Sequence, residues 1–196
     1  MSAELSDASP RLHYWDAHWD HRPAECPCDE DFIAWLDATQ VRDASIFHFG
    51  TGGHHHVGIE CARPHRRNSV LGITAAPTEY ESFIRLAIAE PEVLRRYNAI
   101  FGDIYLLNSR LLPTFDVVTL FHLCEFRSER NDLYGALTDR EVLDLLTSRL
   151  RPGGRILFFP GSFAWDNAEV IVADWAAQND VEPLGRFRSL LVYRKR

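Results

Sequence analysis

Lysine is almost absent from this sequence. Of its 21 lysine and arginine residues only Lys195 is a lysine. Schiff-base chemistry needs an internal lysine, and so does the GxxxxGKS/T loop that binds phosphates. The sequence therefore disfavours both of these large classes of enzyme.

Positive charge and long apolar runs are also scarce. The formal net charge is −7 at pH 7, whereas binding to nucleic acid or to an anionic membrane needs clustered positive charge. No apolar run approaches the roughly 20 residues that span a bilayer, and the first ten residues, MSAELSDASP, do not resemble a secretory signal. We therefore predict a cytoplasmic protein that acts on a small molecule and has no nucleic-acid or membrane partner. Its oligomeric state stays open.

Cysteine is infrequent and irregularly placed, at Cys26, Cys28, Cys61 and Cys124. A chain of 196 residues buries enough apolar surface to fold without disulfides, so we predict reduced thiols. The composition, 46% hydrophobic and 25% charged, is typical of a globular chain, and the length favours one structural domain.

Short apolar runs alternate with helical patterns from residue 44 onward, which indicates a parallel sheet with crossover helices. The predicted strands cover 44–49, 69–74, 97–102, 115–121 and 154–160. The predicted helices lie near 54–63, 78–96, 138–149 and 165–178. Two further extended runs, DVEPLGRF and RSLLVYRK, follow so closely on each other that they must be antiparallel. The fold class is therefore α/β, with a seven-stranded, mostly parallel sheet in a three-layer αβα arrangement.

The first forty residues differ in character and predict an N-terminal helical cap on a domain that covers 41–196. Tyr14, Trp15 and Trp19 have helical spacing. They suit either core packing or a lid over an active site. PAECPCDE breaks this pattern, and DEDFIAWLDAT predicts a second short helix.

The order of these elements, with FDVVTLFHL at 115–123 and LLTSRLRPGGRILFF at 145–159, resembles the class I S-adenosylmethionine (SAM) dependent methyltransferase family. The resemblance covers roughly residues 30–196. It implies a Rossmann-like fold, SAM as the cofactor and transfer of the methyl group to a small molecule by direct displacement.

The resemblance also implies where the cofactor binds after the first strand. The family has an acidic residue and then GxGxG at this turn; here His48 stands at the acidic position, Gly50 and Gly52 match, and His54 replaces the third glycine. We assign His48, Gly50, Thr51 and Gly52 to the cofactor on this basis.

Three later positions complete the assignment that the resemblance implies. Thr74 ends the second strand where the family has a ribose-binding acid, and Glu79 lies a helical turn further on. Asp103, in the pair Gly102–Asp103, matches the residue that recognises the adenine amino group. Leu120, at the end of the fourth strand, is also assigned to the cofactor.

His122 follows the fourth strand, at the sheet edge where parallel α/β proteins carry their chemistry. We assign His122 as the catalytic residue, a general base for a hydroxyl or amine acceptor, because its reference pKa lies near neutrality. A structural histidine is the alternative, since positioning of the acceptor alone can supply most of the rate.

Histidines 54–56, with His48, Cys26 and Cys28, raise the question of a metal. Imidazole and thiolate are preferred ligands of zinc, but adjacent histidines of a helix point in different directions. We therefore predict no metal and a helix start with exposed or cofactor-facing histidines. The alternative function is a catalytically degenerate methyltransferase-fold protein that binds a partner, with a metal or an anionic ligand at this turn.

Overall fold

The computed structural model describes residues 18–196. Tyr14 and Trp15, and with them most of the predicted first helix, lie outside the described residues. Trp19 is described and is 38% exposed. Among the described residues no helix has both the length and the apolar character needed to cross a membrane.

Seven strands form one sheet in the order β3-β2-β1-β4-β5-β7-β6. Their bounds are β1 Ser45–Phe49, β2 Ser69–Thr74, β3 Tyr97–Phe101, β4 Phe115–Leu120, β5 Leu150–Phe158, β6 Val181–Phe187 and β7 Leu190–Lys195. Strand β7 pairs antiparallel with both β5 and β6, while the pairs from β3 to β5 are parallel. The predicted fold class, including the antiparallel closing pair, is confirmed.

Six α-helices flank or connect the strands in the described part of the chain. Their bounds are α1 Cys28–Ala38, α2 His56–Ala62, α3 Pro77–Ala89, α4 Glu129–Asp132, α5 Asp139–Arg149 and α6 Trp165–Gln178. The start of α5 is a capping box. The backbone N–H of Thr138 donates to Glu141 Oε2 at 2.8 Å, and the N–H of Glu141 donates to Thr138 Oγ1 at 3.2 Å. A cap of this kind stabilises a helix by about 1 kcal/mol.

Three boundaries differ clearly from the prediction. Helix α3 ends at Ala89 rather than near residue 96, because Pro91 cannot continue a helix and disfavours helical backbone just before it. Helix α2 begins at His56 rather than at residue 54, because His55 has the left-handed φ of 50° that ends the turn before it. Strand β5 also starts earlier than predicted, at Leu150, which pairs with Phe115 ahead of an irregularity in the ladder.

Both faces of the sheet are covered. On one face, Phe47 and Phe158 pack in a cluster with Trp175 of α6 and the leucines of α5. On the other face, Ile46 packs in a cluster with Phe32 and the rest of the buried face of α1. Neighbouring strand residues thus serve opposite layers, which explains why the strands are apolar runs without clean alternation.

Candidate functional site

A cavity of about 350 Å³ lies at the carboxyl edge of the parallel strands, which is where open α/β sheets bind ligands. Its volume is within the usual range for small-molecule sites, about 300–1,000 Å³. Five of the residues predicted from the sequence line it together: Gly50, Gly52, Thr74, Asp103 and His122. Residues of the segment before α1, from Trp19 to Cys26, also line it, together with Cys28 and Asp29 at the start of α1.

Three other predicted residues are buried next to the cavity without lining it. His48, Thr51 and Leu120 are each 1% exposed. They lie in or directly beside the strands that carry the turn, so any contribution they make to a ligand is indirect.

The glycine turn after β1 is crowded by imidazole rings. Gly50 and Gly52 have φ angles of 86° and 56°, in the left-handed region that favours glycine. A Cβ atom on Gly50 would lie 2.9 Å from Cδ2 of His122, and one on Gly52 would lie 2.4 Å from Nε2 of His54. A ligand that reaches this turn therefore meets these two rings first.

His48 forms a hydrogen bond inside the sheet. Its Nδ1 atom lies 2.8 Å from Oγ1 of Thr119 on the neighbouring strand β4, and its Nε2 atom lies 4.0 Å from Oδ1 of Asp29. Burial lowers the pKa of His48 to about 3, so the imidazole is neutral at pH 7. The Nδ1 atom of His48 is thus satisfied by a residue of the neighbouring strand.

The three consecutive histidines diverge. Nε2 of His54 lies 3.8 Å from Oδ2 of Asp29. His55 has hydrogen bonds to the Tyr97 hydroxyl at 2.8 Å and to the backbone carbonyl of Glu79 at 3.0 Å. Burial lowers the pKa of both rings to about 4. The turn therefore does not gather His54 and His55 around one ion.

His56 takes part in a separate cluster at the surface. Its ring stacks on that of His21 with 4.5 Å between centroids, and its Nε2 atom lies 3.3 Å from Oε1 of Glu30. Ligand atoms of His21, Glu30 and His56 all lie within 4.8 Å of one another. This cluster contains no thiolate, and His21 is exposed.

A carboxylate reaches the end of β2 from the next helix. The hydroxyl of Thr74 donates a hydrogen bond of 2.7 Å to Oε2 of Glu79, and both residues line the cavity. Burial raises the pKa of the Glu79 carboxyl. Glu79 lies in the first turn of α3, a helical turn from the strand end in sequence, but its side chain reaches back to Thr74.

Asp103 is held in one orientation at the end of β3. Its Oδ1 atom accepts a hydrogen bond of 2.8 Å from the backbone N–H of Tyr105. Its Oδ2 atom accepts hydrogen bonds from the hydroxyl of Tyr134 at 2.7 Å and from the amide of Asn131 at 3.0 Å. The carboxylate is therefore fixed against the cavity before any ligand binds.

His122 is paired on the side of Nδ1. This atom lies 3.1 Å from Oε2 of Glu125, three residues further along the turn after β4. Burial acts to lower the pKa of His122, but the interactions with Cys26 and Glu125 outweigh it and raise the pKa to about 10. The assignment of His122 as a general base stays a prediction; the structure holds its ring at the cavity through Glu125.

Two cysteines approach the same ring from the start of α1. Sγ of Cys26 lies 3.3 Å from Sγ of Cys28, and all four cysteines of the chain are free of disulfides. The hydrogen bond with Cys28 lowers the pKa of Cys26 to about 5, with burial opposing it and His122 lowering it further. The same hydrogen bond, with burial, raises the pKa of Cys28.

Asp29 and Glu125 are site residues that the sequence assignments missed. Asp29 is 7% exposed, and burial raises the pKa of its carboxyl to about 7. One feature of the sequence could have predicted Glu125 as a site residue, namely its position three residues after His122. No feature of the sequence predicts Asp29, because its neighbours His48 and His54 come from a distant part of the sequence.

The sequence matches no protein-family model and no curated protein. Solved structures with the same fold include TrmN from Thermus thermophilus, with a TM-score of 0.58 and 15% identity over 83% of this chain. The match covers 47% of TrmN, so the chain spans about half the length of that protein.

Two further structures match nearly all of this chain. Precorrin-6y C5,15-methyltransferase from Geobacter metallireducens has a TM-score of 0.59 and 13% identity over 91% of each chain. A putative methyltransferase from Streptococcus mutans, solved in complex with S-adenosylhomocysteine (SAH), has a TM-score of 0.57 and 12% identity over 91% of this chain and 100% of its own. The chain has the class I methyltransferase-like fold.

Proposed function

We propose that the chain binds SAM in the cavity at the carboxyl edge of the sheet and transfers the methyl group to a small molecule. One observation carries the proposal: two carboxylates, Glu79 at the end of β2 and Asp103 after β3, line one cavity beside the glycine turn of a class I methyltransferase-like fold.

The adenosyl half of SAM fits these carboxylates. Glu79 would accept hydrogen bonds from the ribose hydroxyls. The family resemblance had placed Thr74 at the position of the acid that binds the ribose. Asp103, with its orientation fixed by Tyr105 and Tyr134, would accept the adenine amino group. Each hydrogen bond to a charged carboxylate is worth about 1.5–3 kcal/mol.

The amino-acid half of SAM would face Gly50 and Gly52. Arg22 lines the cavity, so a cationic group is present for the carboxylate of the ligand. The ring of His54 would have to give way at Gly52.

Bound SAM supplies an electrophilic methyl group. The protein would contribute position and a dry environment, since holding two reactants in line can account for much of a rate enhancement. Phe49, Ile73 and Phe159 form buried apolar parts of the cavity wall. They would keep water from the methyl group while the acceptor is held against it.

The net charge supports a small acceptor. A charge of −7 repels a polyanion such as RNA but does not repel a small neutral molecule. The crowding of Gly52 by His54 favours a second candidate, a methyltransferase-fold protein that binds the nucleoside ligand without transferring a methyl group.

Isotope transfer separates these functions. The full-length protein is incubated with SAM labelled in its methyl group and a cell extract separated into small metabolites and RNA. We expect label in the small-metabolite fraction, lost in Asp103→Ala and kept in Asp166→Ala, a substitution of an exposed acid on α6. Label in RNA would overturn the small-molecule acceptor. Label in neither fraction, with SAH still bound, would support the second candidate.

A further inference from the structure

Two sulfur atoms and one imidazole nitrogen, all possible metal ligands, lie close together in the wall of the cavity. Sγ of Cys26, Sγ of Cys28 and a ring nitrogen of His122 all lie within 4.8 Å of one another. The two sulfurs come from the CPC sequence at the start of α1, and the imidazole comes from the turn after β4. All three residues also line the cavity, so the cluster faces a ligand-sized space.

The imidazole of this cluster is already oriented. Nδ1 of His122 lies 3.1 Å from Oε2 of Glu125, which leaves Nε2 for another partner. Glu125 is fixed in turn, because its Oε1 atom accepts a hydrogen bond of 3.1 Å from the backbone N–H of Phe163. Histidines that bind metals usually pair their second ring nitrogen with a carboxylate in this way.

We propose that Cys26, Cys28 and His122 bind one zinc ion, with the fourth coordination position open to the cavity. Thiolate and imidazole are the ligands zinc prefers. Bond lengths of about 2.0–2.3 Å place the ligand atoms of a tetrahedral site about 3.5–3.8 Å apart, so only small movements separate the present cluster from that geometry. Three protein ligands with one open position are typical of zinc sites that act on a substrate.

The zinc site does not depend on SAM, but its use does rest on the proposed function. The open position faces the same cavity as the methyl donor. A thiol or hydroxyl of the acceptor bound there would lose its proton more readily, because zinc lowers the pKa of groups it coordinates. The acceptor would then belong to the class of thiols or alcohols.

The surface cluster of His21, Glu30 and His56 is a second possible metal site in this chain. Its ligand atoms also lie within 4.8 Å of one another, but it offers no sulfur and its residues are more exposed. Variants of this cluster therefore act as controls for the cavity site.

The test is a titration of the full-length, reduced, metal-stripped protein with cobalt and then with zinc. We expect one zinc per chain by elemental analysis, and a thiolate-to-cobalt charge-transfer band that zinc abolishes. Cys26→Ser and His122→Ala should remove that band, whereas Cys124→Ser and His56→Ala should keep it. Glu125→Gln, which keeps the shape of the side chain, should weaken zinc binding by roughly ten- to a hundredfold.

Alkylation gives a second measurement that does not require a folded His122 variant. Zinc should protect Cys26 of the wild type from iodoacetamide without protecting Cys124, with both sites followed by mass spectrometry. Absence of zinc binding, zinc binding that is unchanged in Cys26→Ser, or zinc binding that is lost in His56→Ala would each overturn the proposal. Binding of SAH to the metal-stripped protein is measured separately, so failure of the zinc site is distinguishable from failure of the proposed function.

Discussion

The hydroxyl of Thr74 donates a hydrogen bond of 2.7 Å to the carboxylate of Glu79. Thr74 at the end of β2 thus holds the Glu79 carboxylate of α3 at the cavity. The resembling family has its own acidic residue at the end of this strand. The side chain of Glu79 is largely buried, so its charge acts in a medium that strengthens its hydrogen bonds.

Substitution of Glu79 by glutamine should weaken the binding of SAH roughly ten- to a hundredfold, because one charged acceptor is lost at about 1.5–3 kcal/mol. Calorimetric titration measures the effect. Glu81→Gln is the matched control, since Glu81 lies on the same helix with its side chain 69% exposed. Equal affinities of the two variants for SAH would show that Glu79 does not contribute to SAH binding.

Thr119→Val should destabilise the fold by about 1–3 kcal/mol. The substitution keeps the shape of the side chain but leaves Nδ1 of the buried His48 without its partner at 2.8 Å. Urea unfolding measures the change. The double variant with His48→Phe should cost less than the sum of the single variants, because both partners then become apolar. Simple additivity would show that the pair is not coupled.

Gly58→Ala should lower the melting temperature even though alanine favours helix by about 1 kcal/mol. A Cβ atom at this position of α2 would lie 2.5 Å from ring atoms of Tyr97, which is 1% exposed and has no space to move. Overpacking of this kind costs about 1–3 kcal/mol. Gly102→Ala is the control, because its Cβ would meet only Ile100, at 3.8 Å. A rise in melting temperature for Gly58→Ala would contradict the packing described between α2 and β3.

Arg66→Met should destabilise the fold by about 1.5–3 kcal/mol at pH 7. The guanidinium of Arg66 is buried and donates to Asp37 at 3.0 and 2.8 Å and to Glu60 at 2.7 Å. Arg67→Met, which breaks an exposed pair with Asp43, should destabilise the fold less than Arg66→Met, because solvent screens this pair. Chemical unfolding of both variants at pH 7 makes the comparison.

The effect of Arg66→Met should also depend on pH. Hydrogen bonds from Arg66 lower the pKa of Asp37. At Glu60 burial acts to raise the pKa, but hydrogen bonds from Arg66 and then Arg63 outweigh it and lower the pKa. A lowered carboxyl pKa stabilises the fold above the unfolded value of about 4 and loses this effect as the pH falls through the folded value. The stability difference between wild type and variant should therefore shrink below about pH 4; a constant difference would exclude these carboxylates as its source.

The sheet and its helices were predictable because local patterns and tertiary structure agree. The strand at 69–74 was predicted with the bounds it has, and the helix predicted near 138–149 is α5, which begins directly after its cap, Thr138. The end of α3 at Ala89 was not predicted, although Pro91 is a local signal that a helix stops before it.

The site was predictable only in part. Gly50, Thr74, Asp103 and His122 follow strands, and the ends of parallel strands meet at one edge, so their proximity follows from the fold. The proximity of His122 to Cys26 does not follow from the fold class. Almost a hundred residues separate the two, and the sequence pattern does not predict where α1 packs relative to β4. The role of Glu79 depends on the direction of one side chain, which spacing does not give.

The central claim is that the cavity binds the nucleoside cofactor of this fold. Calorimetric titration of the metal-stripped protein with SAH tests it most directly. We predict saturable binding of one SAH per chain that Asp103→Ala weakens at least tenfold, while Asp166→Ala leaves it unchanged. Absence of saturable heat from the folded wild-type protein would contradict the claim.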